Sequence, residues 1–366
     1  MKLRTVVDNM AVESKHTVRN ASAYALLLVI IVGTQRNMLK EAMSVASGID
    51  MYWALASVMC VLAALYVRGN IVHTTIRDSK RSAALVANCA NVAASSAFVV
   101  GGGPIGTGAK TYVLLRSGLT GSAIGSSIML TSACSACFAW VAHSVTLGAY
   151  VPSRDNTVWE LSFYGSFLFA ISNLVVWSLV LGADRPYEIA AARVGSWVEK
   201  VLNFKVMRRY SNTTKGWDPH KTLSKSRDEA VLVFRARWKT LLLQYSLVHV
   251  LSAASLLCCV RSLGVTSIGW QDSLIVFSLV SALLAVSPLS GGVGVAEAGI
   301  VGVLGSMGVD SGTALAVAVV WRVTSWLLPV IVGYICWVLQ DRVATEPHQT
   351  TAPSFIEARQ DQTTLS

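Results

Sequence analysis

The chain has 366 residues, 53% of them hydrophobic and only 14% charged, with a formal net charge of +10. A soluble domain has about a quarter of its residues charged, so a soluble globular fold is excluded. Apolar runs near the roughly 20 residues needed to cross hydrocarbon recur along the chain, which makes it an all-α polytopic membrane protein.

Residues 1–20 are polar and mixed in charge, and read as a cytoplasmic N-terminus with no cleavable signal. The first membrane half is 21–182, with apolar runs at 21–35, 51–67, 82–100, 120–148 and 159–182. Residues 183–239 read as a basic cytoplasmic loop. Within it, 187–209 place Ala190, Val194, Trp197, Val201 and Phe204 on one helical face and supply Arg193, Lys200, Lys205, Arg208 and Arg209. That pattern predicts an amphipathic helix on the membrane surface. Residues 210–225 are polar and rich in turn formers. The second membrane half is 240–339, with runs at 240–260, 272–287 and 311–339, and a tail follows at 340–366. The expectation is eight long helices plus two short glycine-rich pieces, near 104–118 and 290–308, broken or re-entrant.

Positive charge in short loops marks the cytoplasmic side. The loops at 68–81 and 183–239 are both basic, and they share a side only if each short piece carries the chain across. Both termini are then cytoplasmic in a cell (inner or plasma) membrane. The two pieces also resemble each other: a proline (Pro104, Pro288), spaced glycines, one charge (Lys110, Glu297), then a glycine and a long helix. The first would enter from outside and the second from the cytoplasm, an inverted repeat of the kind that places transporter sites near the midplane. The surplus of basic charge next to membrane helices points to anionic lipid headgroups rather than nucleic acid.

Charges inside apolar sequence are costly and usually face a cavity or a partner. Lys110, Arg116, Glu297 and Arg322 are of this kind, with His143 and His249 the weaker candidates. Glu297 follows Gly291, Gly292 and Gly294, which let the backbone unwind; the free N–H groups of the next half-helix would attract an anion such as phosphate. A cluster of Lys110, Glu297 and Arg322 would be net positive and suit an anionic lipid phosphate. A purely structural ion pair is the alternative. Seven cysteines lie in apolar segments. Cys134 and Cys137 have CxxC spacing but no second pair, so no metal site or cofactor is expected. Neither a phosphate-binding loop nor a catalytic constellation occurs, and the chain is not read as an enzyme.

The stretch Pro288–Gly333 resembles the lysylphosphatidylglycerol synthase transmembrane, or flippase-like, family: Pro288, Gly291, Gly292, Gly294 and Glu297, then Gly308, Arg322, Thr324, Trp326, Pro329 and Gly333. Pro104–Gly118 resembles the family's N-terminal counterpart. The resemblance implies an inner-membrane protein that moves a lipid between leaflets, for example an aminoacylated phospholipid or a polyprenol-linked carrier, without the synthetase domain of longer members. Two other classes stay open: a secondary transporter of a small anion, and a non-transporting scaffold for a lipid-modifying glycosyltransferase partner.

Overall fold

The structure, a computed structural model, describes residues 48–76, 79–97, 102–150, 157–183, 187–188, 219–286 and 294–344. Among these residues the regular structure is entirely helical. In chain order the helices are α1 (Met51–Thr75), α2 (Arg81–Ala97), α3 (Gly102–Arg116), α4 (Gly121–Tyr150), α5 (Thr157–Gly182), α6 (Pro219–Ser262), α7 (Trp270–Val286), α8 (Val295–Ser306), α9 (Ser311–Arg322) and α10 (Leu328–Ala344). A π-helical turn, Val323–Leu327, joins α9 to α10.

Five stretches are long and apolar enough to cross a membrane: Met51–Thr75, Gly121–Ala149, Glu160–Gly182, Thr222–Ser262 and Ser311–Cys336. The expected eight long helices therefore reduce to five among the described residues. The run at 21–35 lies outside them. Those at 82–100 and 272–287 form 17-residue helices, α2 and α7. At 1.5 Å per residue each reaches about 26 Å, short of a ~30 Å core.

A second difference concerns 219–239, read as loop. These residues open α6, a 44-residue helix about 66 Å long. Pro219 stands at its start, where a missing N–H costs nothing. Small side chains let this polar stretch pack: Ser226 donates to the Ser122 carbonyl at 3.1 Å, and Ala230 is fully buried. Only Tyr187 and Glu188 of the expected surface helix are described, and the Arg227 guanidinium sits 4.8 Å above the Tyr187 ring.

Packing is organised around two short helices. Helix α2, rich in buried alanines, is gripped between α1, α3 and α10. A Cβ on Gly106 would lie 2.5 Å from the Asn91 carbonyl oxygen, and one on Gly333 would strike that of Cys89, so both α3 and α10 meet α2 backbone to backbone. Helix α7 packs against α4, α6 and α8, with Val280 and Leu283 against Gly299. The largest apolar core gathers α6, α7, α8 and α9 around Val276, Ile300, Val317 and Ala318.

Helices α3 and α8 end alike. The Leu119 amide donates to the Leu114 carbonyl at 3.3 Å and that of Val309 to the Leu304 carbonyl at 3.0 Å. Gly118 and Gly308 take φ of 83° and 89°, the left-handed conformation such a stop requires. Thr120 and Asp310 then start α4 and α9, accepting from the amides of Ala123 and of Gly312 and Thr313 respectively. The Thr313 side chain and amide hold the exposed Asp310 carboxyl below its ordinary range.

Candidate functional site

Helix α8 has only 12 residues. Gly294 precedes it with φ of 82°, and its amide donates to Glu297 Oε2 at 2.7 Å. The side chain of the third helical residue thus caps its own helix. The other carboxylate oxygen, Oε1, accepts from Arg322 Nε at 2.6 Å. Both side chains are largely withdrawn from solvent, at 15% and 5% exposure. The 25-residue spacing from Glu297 to Arg322 therefore does bring these two together, across the α8–α9 hairpin. Gly294 shares the site through its amide.

Lys110 does not join them. Its helix, α3, packs against α2 and α4. Lys110 is buried at 6% exposure, and among the described residues it makes no ion pair. Of the three charges, the structure pairs Glu297 with Arg322 and leaves Lys110 buried on α3. The reason is topological: α3 sits on α2, while Glu297 sits on α8 beside α7. Pro104 lies exposed in the first turn of α3, where proline is tolerated, and begins that helix instead of breaking it. Pro288, Gly291 and Gly292 lie outside the described residues.

Arg322 keeps a donor in reserve. Its Nη2 is buried and has no hydrogen-bond partner among the described residues, and the same holds for the indole nitrogens of Trp321 and Trp326. These are donors only, so whatever satisfies them must bring acceptors. An anion suits Arg322 best, because a planar guanidinium binds phosphate or carboxylate oxygens in pairs.

Immediately beyond Arg322 the helix widens into the π turn. Thr324 sits within it, donating to the carbonyls of Trp321 at 3.0 Å and Val320 at 3.3 Å. It also accepts from Ser57 on α1 at 3.4 Å. Ser57 in turn meets Ser255 at 2.9 Å and Cys259 at 3.2 Å on α6. This buried polar knot joins α1, α6 and the π turn one step from the ion pair. Sequence reading missed it; the small polar residues at 57, 255 and 324 were its only signal. π turns of this kind are frequent at functional sites.

A family model described as the lysylphosphatidylglycerol synthase TM region matches residues 20–333. The chain belongs to this family. The matched span holds both glycine-rich segments, the Glu297–Arg322 pair and, as its last residue, the Gly333 that meets α2. Comparison with curated proteins gave no match. As a member of the lysylphosphatidylglycerol synthase TM family, the chain is a multi-pass membrane protein of a kind associated with lipid synthesis or translocation.

Proposed function

We propose that the protein moves an anionic or polyprenol-linked lipid between leaflets of the cell membrane, in a non-catalytic role. The Arg322 guanidinium engages the phosphate. The observation that carries this reading is the buried Nη2 of Arg322, which finds no acceptor among the described residues although Nε is held by Glu297. Glu297 aims the guanidinium through Nε, and the Nη2 donor is what a phosphate oxygen would take. Lys110 is a second cationic station, on the other glycine-rich segment.

The shared end geometry of α3 and α8 supports reading the two segments as an inverted repeat. So does the reciprocal packing, with α2 on α10 and α7 on α4. In that arrangement the basic residues at the N-terminal end of α6, and both termini, face the cytoplasm and its anionic headgroups. The chain divides into the membrane halves 21–182 and 240–339 around the basic segment.

Lipid movement is tested with purified protein in liposomes carrying fluorescent phosphatidylglycerol, scored by leaflet-selective quenching. Wild type should exchange the label between leaflets, and Arg322→Gln should abolish exchange. A folded Arg322→Gln protein that still exchanges lipid would remove the guanidinium from the mechanism. A scaffold reading draws on a different observation: both Glu297 oxygens are already engaged inside the protein. It gains if wild-type liposomes show no exchange with any labelled phospholipid while a glycosyltransferase co-purifies.

A further inference from the structure

A second polar cluster lies apart from the ion pair, where α4, α6 and α7 meet. His249 on α6 bonds through Nε2 to the Ser278 hydroxyl on α7 at 2.9 Å. Ser278 donates onward to Thr146 Oγ1 on α4 at 3.3 Å, and Thr146 donates to the Ala142 carbonyl at 2.7 Å. With each hydroxyl committed as a donor, Nε2 of His249 must carry the hydrogen. One turn from Thr146, His143 is 2% exposed, and its Nδ1 is buried without a partner among the described residues. The rings of Phe138 and Phe277 stand 5.9 Å and 4.9 Å from that of His249.

From this geometry we infer that His143 and His249 form a proton-binding site that couples the conformation of the bundle to the transmembrane proton gradient. One proton adds to the bare Nδ1 of His143 and converts its imidazole to imidazolium; no other bond changes. In the conformation seen here the described residues offer the buried Nδ1 of His143 no hydrogen-bond partner, so an imidazolium there would have no acceptor among them. Protonation therefore favours a state in which the α4–α6–α7 seam opens to water, because a ligand shifts a population towards the state that binds it better. The path to the lipid site is short. Val280 and Leu283 of α7, within five residues of Ser278, hold Gly299 of α8, two residues from Glu297. Coupling to lipid movement rests on the function proposed above, whereas proton binding does not.

The surrounding ionisable groups are few. Helix α6 adds Tyr245, whose hydroxyl donates to the Thr131 carbonyl at 3.0 Å, and α4 adds Cys134 and Cys137. Arg68 of α1 lies within electrostatic reach of Tyr245. Helices α5 and α7 bring no charge beyond Glu160 and Asp272 in their first turns. Arg322 on α9 is held by Glu297. Among the described residues no carboxylate contacts either imidazole, so none of them would retain the proton in the closed state.

Trp140 reports on the site, since its ring lies 6.4 Å from that of His143 and an imidazolium quenches indole emission. The signal is the fluorescence difference between wild type and Trp140→Phe in phosphatidylcholine liposomes. It should show a quenching step as pH falls from 8 to 4. His143→Gln should abolish the step and His249→Gln should move it to higher pH, by removing a second imidazole that competes for charge. A His143→Gln protein that titrates like wild type would overturn the inference. If that variant does not fold, an unmoved step in His249→Gln does so. In liposomes with labelled phosphatidylglycerol, an imposed pH gradient should change the exchange rate by up to about tenfold per pH unit, and His143→Gln should be indifferent to it. Exchange that ignores the gradient in wild type refutes the coupling. Absence of all exchange, with the quenching step intact, refutes lipid movement and leaves the proton site standing.

Discussion

The two glycine-rich segments can be laid over one another at an offset of 190 residues, the difference between Gly118 and Gly308. At that offset Leu114 meets Leu304 and Thr120 meets Asp310, so the helix stop and the next helix start coincide in position and in bonding. The chemistry does not. Glu297 and Arg322 fall on Thr107 and Ser132, both uncharged, and α4 runs for 30 residues without the π turn that follows Arg322. One segment builds its hairpin without an ion pair, which means the hairpin does not need one. The pair and the π turn are additions to the second segment, and additions that are costly in a membrane usually serve a purpose beyond folding.

The strongest way to test this difference is to remove a charge from each side. Arg322→Met strips Glu297 of its cation in a buried setting, and removing one partner of such a pair costs about 3–5 kcal/mol. Lys110→Met removes a buried cation with no ion-pair partner among the described residues, and should leave stability unchanged or raised. Thermal midpoints of the two purified variants decide the matter. Equal losses would mean that Lys110 is held as firmly as Arg322, and the contrast would vanish.

A smaller effect is expected where the backbones meet. Gly106 and Ala296 occupy the same place at the 190-residue offset; Gly106 lies against the Asn91 carbonyl, whereas the fully buried Ala296 already carries its Cβ. Gly106→Ala should overpack α3 on α2 and cost about 1–3 kcal/mol. Ala296→Gly should cost the helix propensity of about 1 kcal/mol and one buried methyl. Denaturation curves showing the Gly106 change to be neutral would break the claim that α2 fixes α3 at backbone contact.

Where the two segments agree, they should fail together. Gly118→Ala and Gly308→Ala each place a Cβ in a left-handed conformation, costing roughly 1–2 kcal/mol. Similar losses in the two variants support the shared helix stop, and a silent one would show that its segment ends some other way.

The smallest effect concerns acid. Asp310 has its carboxyl below the ordinary range because it accepts from Thr313, so the carboxylate is favoured in the folded state. Its contribution is complete above the unfolded value near 4 and is lost as pH falls through the lower folded value. Asp310→Asn should flatten the acid side of a midpoint-against-pH profile, whereas Thr120→Asn, at the matching place, should not.

Much of this was legible in residue order. Apolar runs located the long helices, because a membrane demands length and uniformity, and glycines marked the ends of α3 and α8, because few other residues tolerate that φ. Glu297 and Arg322 stood out as the opposite charges within apolar sequence. Less legible were features written in small polar residues. The first half of α6 reads as loop by composition, yet Ser226 packs because Gly125 gives it room, and Ala230 is buried in an apolar cluster with Val67 and Leu130. Lys110 looked like a third member of the site because an alignment of motifs says nothing about which helix α3 leans on. The His249–Ser278–Thr146 chain spans three helices and has no local spacing at all.

The π turn after Arg322 has one further consequence. A turn of this kind holds one residue more than an α turn, and each residue in an α-helix advances the face by about 100°. The extra residue therefore sets the phase of everything downstream, including Gly333, whose bare backbone is what lets α10 lie against Cys89 and Ala93 of α2. Removing a single residue from Val323–Leu327 would restore a regular helix locally and rotate that flat patch off its seat, turning a bulkier neighbour onto α2 in its place. The same residue that widens the helix beside the ion pair thus also keys the two halves of the molecule together.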